Sequence, residues 1–329
     1  MDILARTIVD GPRRSQARRR IKVVATPSRA WRPSIAVRWG RMSEVSRRDR
    51  FWVWTLRMFA GRPFRLGHDT PAFEAHLEAL GPVALPPLDR PGRHELTIST
   101  LAGELDAGLC VLRWHGADVP TVIYHHGGSE IPYTRTAARI FAEQEITTPI
   151  NAIVIRLPFH RSGLEFRGVL AKLGSFISML AVGVGLTERV LSSTPLRGSP
   201  GTLVAGFSQG GFITNRHHVH YNSADAYVPM MAGTNQGDLF AAMFPALSRA
   251  TVERIRARLN FTEAWRARDH AKVFPVLARR DGINPLAVMG PGYPDVDVEL
   301  WDTSHLAGFN EPARLREVIL RRLPGLRES

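Results

Sequence analysis

Gly206-Phe207-Ser208-Gln209-Gly210 follows directly on an apolar, strand-prone run, Thr202-Leu203-Val204-Ala205, and leads into a segment with helical spacing. A serine between a buried strand and a helix is forced onto a tight turn that stands its hydroxyl out at the sheet edge. Gly206 and Gly210 suit this turn because a Cβ at either position would collide with the neighbouring strand or helix. The pentapeptide alone is suggestive; its place between strand and helix makes it a strong constraint.

From about residue 94 the chain alternates strand-like and helix-like segments, the pattern of a mostly parallel sheet with helices on both faces. Residues 94–100 and 108–114 read as an opening antiparallel pair, and 120–124 as a short buried strand ending in His125-His126-Gly127-Gly128. A helix over 134–144, a strand over 152–157 and a long helix over 170–191 lead to the Ser208 strand. A helix over 209–221 follows, then a strand over 224–231 and a helical stretch over 236–270. Strands over 272–279 and 296–301 and a closing helix over 311–322 complete an eight-stranded α/β domain. At 329 residues the chain accommodates one such domain with extensions.

The net charge of +13 raises the question of nucleic acid, but its distribution answers it. Residues 1–50 carry 14 Lys and Arg against 4 Asp and Glu, which leaves +3 for residues 51–329. No nucleic-acid partner is therefore expected for the folded domain. The segment 1–50 is expected to be a disordered basic arm. With no apolar stretch near the start it is not a secretory signal. Its arginines resemble an organelle transit peptide or a polyanion-binding tail. The plainer expectation is that translation starts at Met42 and residues 1–41 are a gene-model extension. Residues 51–93 read as a helical extension whose aromatic stretch, 51–59, packs on the domain, with membrane contact as the second choice. The longest uncharged run, 173–187, is too short to cross a bilayer and reads as a buried helix. The single cysteine, Cys110, lies among apolar neighbours and excludes an internal disulfide. It reads as an inert buried thiol in a reducing, cytoplasmic setting.

A serine hydroxyl is a poor nucleophile at neutral pH and needs a base, which in turn needs an orienting acid. Strand 273–278 runs into Arg279-Arg280-Asp281-Gly282, and strand 298–301 into Asp302-Thr303-Ser304-His305. The chain order is serine, acid at a strand end, histidine after the last strand. Asp281 competes with a plain Asp-Gly turn reading, with Asp238 beyond the preceding strand, and with Asp302, three residues before the histidine. His217, His218 and His220 show no ligand spacing with a companion carboxylate, so they read as a polar helix face and no metal site is expected.

On these motifs, residues from about 94 to 325 resemble an α/β-hydrolase: the His126-Gly127-Gly128 turn, Gly206 to Gly210, Asp281, and His305. The resemblance implies an eight-stranded, mostly parallel sheet with a small helical lid. It implies Ser208 as nucleophile, His305 as general base and Asp281 as the acid orienting it, with Asp238 as the runner-up. It further implies an oxyanion hole from the backbone N–H groups of Gln209 and Gly128, with His126, Gly127, Gly206 and Gly210 as supporting positions. Gly206-Phe207-Ser208-Gln209-Gly210-Gly211 is also similar, over six residues, to carboxylesterases and acyl-protein thioesterases.

The implied activity is cleavage of a carboxylic ester or thioester through an acyl-enzyme, on a small-molecule ester or acyl substrate, without metal or organic cofactor. An acyltransferase with the same triad and a non-catalytic binding protein of the same fold are the alternatives. The lid is expected over 236–270, with Phe240, Met243, Phe244, Leu247 and Leu259 covering an apolar acyl pocket. Leu157-Pro158-Phe159-His160 is expected to line the same cleft.

Overall fold

Eight strands form one sheet: β1 Gly92–Thr100, β2 Gly103–Arg113, β3 Thr121–His125, β4 Asn151–Arg156, β5 Thr202–Phe207, β6 Ala226–Met230, β7 Val276–Ala278 and β8 Glu299–Trp301. They are seen in a computed structural model that describes residues 45–60, 64–65, 69–141 and 146–326. The spatial order is β1-β2-β4-β3-β5-β6-β7-β8. β2 runs antiparallel to both β1 and β4, and every later pairing is parallel.

The period-two alternation of strand side chains splits the core in two. Ile123, Ile153 and Val204 point into one apolar layer, whereas Val122, Val154 and Leu203 point into the other. Being covered on both faces, β3, β4 and β5 are buried along their whole length. That is why they read as continuous apolar runs rather than as alternating ones. β7 is shorter than the expected 272–279 because Pro275 has no N–H to give to a ladder, leaving Val273 as an isolated bridge to Tyr227.

Twelve α-helices are seen among the described residues. They are α1 Arg47–Ala60, α2 Phe73–Glu78, α3 Thr136–Ile140, α4 Gly163–Val169, α5 Leu173–Leu191, α6 Gln209–His220, α7 Gln236–Met243, α8 Arg249–Leu259, α9 Thr262–Arg266, α10 Leu286–Met289, α11 His305–Phe309 and α12 Pro312–Leu320. Residues of α5 and α6 and of the 236–270 segment build the first layer, and those of α3 and α12 build the second. α5 is the one helix among the described residues with the length and composition to cross a membrane, and most of it is buried in the core.

The expected arm lies outside the described residues up to position 44. Its last residues are not arm-like: α1 begins at Arg47, because Asp49, Val53 and Leu56 share one helix face and all three are buried. The opposite face of the same helix leaves Phe51, Trp54 and Met58 exposed.

Candidate active site

Ser208 sits between β5 and α6, at the N-cap of the helix, with φ 55° and ψ −112°, a left-handed conformation that a non-glycine residue adopts only under constraint. Its own N–H donates to the Met230 carbonyl at 2.8 Å, and its carbonyl accepts from Phe212. The turn is this tight because Gly210 lets α6 approach β3: a Cβ there would lie 2.2 Å from the His125 carbonyl oxygen. Ser208 Oγ has no hydrogen-bond partner among the described residues and opens onto a cavity.

The loop after β3 forms one wall of that cavity. His126 Nδ1–H donates to the Gly127 carbonyl at 2.8 Å, while its Nε2 accepts the Leu157 N–H at 3.1 Å. Both ring nitrogens are thereby used, and the imidazole is held neutral with its pKa pushed down to about 4 by burial. Glu130, which nothing in the sequence pattern marks, is buried and accepts the N–H groups of Gly127 at 2.9 Å and Thr136 at 3.0 Å. The Gly127 N–H is thus spent on the loop itself. Gly128, the next residue, lines the cavity together with Gln209, whose N–H at the first turn of α6 has no intrahelical acceptor.

His305 Nδ1–H donates to Asp281 Oδ2 at 2.7 Å. Both side chains are almost wholly buried. Asp281 Oδ1 accepts two more N–H groups, from Ile283 at 2.8 Å and Asn284 at 2.7 Å. Burial pushes the Asp281 carboxyl upward, and the His305 ring and the Asn284 N–H pull it back. The other two carboxylates are elsewhere. Asp238 pairs with Arg256 at 2.7 Å and takes the Asn260 amide at 2.9 Å. Asp302 lies on the surface against Arg280 at 3.2 Å. Asp281 is the one of the three in contact with His305.

Ser208, His305, Gly127, Gly128 and Gln209 line one cavity of about 150 Å³. Its far walls are apolar and come from distant parts of the chain: Trp52 and Leu56 from α1, Phe166 from α4, Leu239, Phe240 and Met243 from α7. Of the expected lid residues, Phe240 and Met243 reach the cavity. Phe244 stacks behind Phe240 with ring centroids 6.3 Å apart, and Leu259 is buried in the core.

Residues 157–160 do not line the cavity. His160 stands one layer back, its ring 4.6 Å from that of His126 and 4.8 Å from that of Phe166. His217 and His218 also depart from expectation: they are fully buried rather than part of a polar face. His217 lies 3.2 Å from Glu188, and His218 bonds His270 at 3.0 Å, both against Tyr227. Among the described residues no cluster has metal-binding geometry.

These buried imidazoles make stability depend on pH. His126 is held at about 4, and His125, His160 and His217 are also lowered, chiefly by burial. Above about pH 6.5 both folded and unfolded chains carry them neutral. As the pH falls below that, the unfolded chain takes up protons more readily than the folded one, so folding stability falls, by at most about 1.4 kcal/mol per pH unit for each such histidine. Glu130 and Asp281, raised by burial, oppose the trend, but there are more histidines than acids. Urea midpoints measured from pH 8 to pH 5.5 are expected to be flat above pH 7 and to drop steadily below it. A midpoint that rises on acidification contradicts the buried neutral state.

The chain matches no protein-family model and no curated protein sequence. Solved structures do resemble it. One is acetyl xylan esterase 1 from Thermoanaerobacterium sp. JW/SL YS485, with TM-score 0.50 and 13% identity, covering 79% of this chain and 96% of that one. Another is an acylaminoacyl peptidase from Pyrococcus horikoshii, with TM-score 0.53 and 14% identity over 73% of this chain. This chain spans 43% of the length of that peptidase. At such identities the likeness is one of fold.

Proposed function

We propose, for a chain with the α/β-hydrolase fold, that it is a serine hydrolase cleaving a carboxylic ester of a hydrophobic acid through an acyl-enzyme. The observation that carries this is that Ser208, held at a strained turn, opens onto the same cavity as a histidine already bonded to a buried carboxylate. With Nδ1–H committed to Asp281, His305 offers Nε2 as the base that takes the Ser208 proton as Oγ attacks the carbonyl carbon. The tetrahedral oxyanion is stabilised by the N–H groups of Gln209 and Gly128, the Gly127 N–H being already engaged by Glu130. His305 then protonates the leaving group, activates water on the second half-reaction and returns the proton to Ser208. The buried thiol of Cys110 supports a reducing, cytoplasmic setting.

The walls supplied by Phe166, Leu239, Phe240 and Met243 favour an apolar acyl group. A cavity near 150 Å³ is about the size of one that holds benzene, which points to short acyl chains. The test is labelling by a fluorophosphonate probe together with hydrolysis of p-nitrophenyl acetate, butyrate and octanoate. Labelling with turnover highest for acetate or butyrate is the expected result. Folded protein that neither labels nor turns over any of the three overturns the proposal, and an octanoate optimum overturns the chain-length part of it.

A further inference from the structure

We infer that Asp49, on the N-terminal helix α1, is a positioning residue that locks the acid loop and the histidine loop of the site to one another. The inference rests on the triad proposed above. Asp49 is fully buried, yet its hydrogen bonds are made far away in sequence. Its Oδ2 accepts the Gly282 N–H at 3.0 Å and the His305 N–H at 2.9 Å. Its Oδ1 accepts the Leu306 N–H at 3.1 Å and the Ser304 hydroxyl at 3.3 Å.

Gly282 follows Asp281 directly, and Ser304 and Leu306 flank His305. One carboxylate therefore bridges the backbones on which both partners of the 2.7 Å His305–Asp281 hydrogen bond are mounted. The approach is close enough to need glycine: a Cβ on Gly282 would lie 2.4 Å from Val45 Cγ1 and 3.0 Å from Asp49 Cβ.

A carboxylate is an expensive way to seat a helix. Burying one without a cation costs several kcal/mol unless every lone pair is satisfied, and an apolar residue would dock α1 without that cost. What an apolar side chain lacks is four acceptor directions that fix two loops in one register. The same helix also sends Trp52 and Leu56 into the cavity wall, and its Arg57 Nε donates to the Met243 carbonyl of α7 at 2.6 Å. α1 thus joins the acid loop, the histidine loop and the lid segment.

Asp49→Asn is nearly isosteric, but its NH₂ faces a backbone N–H in either orientation, that of Leu306 in one and those of Gly282 and His305 in the other, so the four acceptor positions are no longer all filled. Small misplacements of a catalytic group cost up to about a hundredfold in rate. In the full chain, kcat for p-nitrophenyl butyrate, per site titrated with fluorophosphonate, is expected to fall about tenfold to a hundredfold with KM within twofold. The rate of fluorophosphonate labelling should fall in parallel.

Val53→Ala is the structural control, since Val53 is buried on the same helix, offers no hydrogen-bond acceptor to either loop and is not among the residues lining the cavity. It is expected to lower Tm while leaving kcat per titrated site unchanged. Should Asp49→Asn not fold at the assay temperature, Asp49→Ser, which keeps one acceptor and admits water, is read by the same criteria. Asp49 variants with kcat within twofold of wild type, or Val53→Ala losing as much kcat as they do, overturn the inference. Failure of the triad itself reads differently: Ser208→Ala would then keep its turnover.

Discussion

Ser208→Ala is expected to abolish fluorophosphonate labelling and to lower kcat for p-nitrophenyl esters by about 10⁶-fold, the loss typical when a serine nucleophile is removed. The substitution is clean. Ser208 Oγ has no hydrogen-bond partner among the described residues, so deleting it leaves no buried donor or acceptor orphaned. Alanine must adopt the same φ of 55° that serine does, so backbone strain at the turn is unchanged. Tm should therefore stay within a few degrees of wild type while activity vanishes, which separates chemistry from folding. A folded variant retaining a hundredth of the wild-type rate would mean that another group attacks the substrate.

Asp281→Asn carries the second largest expected effect, a fall in kcat of about 10⁴-fold, and the geometry gives the reason. Asp281 Oδ1 is tied to two backbone N–H groups, from Ile283 and Asn284. An asparagine keeps its carbonyl oxygen on those donors, because the opposite orientation would set its NH₂ against both of them. The NH₂ then faces His305 Nδ1, which must become an acceptor. The ring proton moves to Nε2, where it blocks the base needed by Ser208. Asp238→Asn and Asp302→Asn, whose carboxylates sit on Arg256 and Arg280, should leave kcat within twofold. Hydrolysis measured on all three variants identifies the acid, and a loss in Asp238→Asn equal to that in Asp281→Asn would refute the assignment.

The parts of this molecule that were legible in its residues are those governed by local rules. Apolar runs bounded by turn residues mark β3, β4 and β5, because a strand buried on both faces has no polar positions to hide. Gly206, Ser208 and Gly210 mark the turn because its backbone admits little else. Where the sequence left three acids open, spacing alone had no means of choosing: Asp238, Asp281 and Asp302 each follow one of the last three strands. Contact with His305 separates them.

Asp49 and Glu130 were illegible for a different reason. Each is a single acidic residue with no motif around it, and Asp49 stands in a stretch dominated by arginine. Their meaning lies in bonds to backbone N–H groups, and those bonds carry no residue preference at the other end. For Asp49 those partners are more than 230 positions away along the chain. His217 and His218 were misread as a polar face because helical spacing reports which residues share a side, not what packs against it. Tyr227, Glu188 and His270 arrive from other elements to bury them.

The sequence by itself determined the succession of strands and helices along the chain, the serine turn and the histidine after the last strand, since propensity, periodicity and turn chemistry act over a few neighbouring residues. Only the tertiary structure decided which carboxylate meets His305, which side chains wall the cavity, and that an N-terminal helix reaches the site at all. Those outcomes depend on close packing and on satisfying buried polar groups between segments far apart in the chain, and both are properties of the assembled fold.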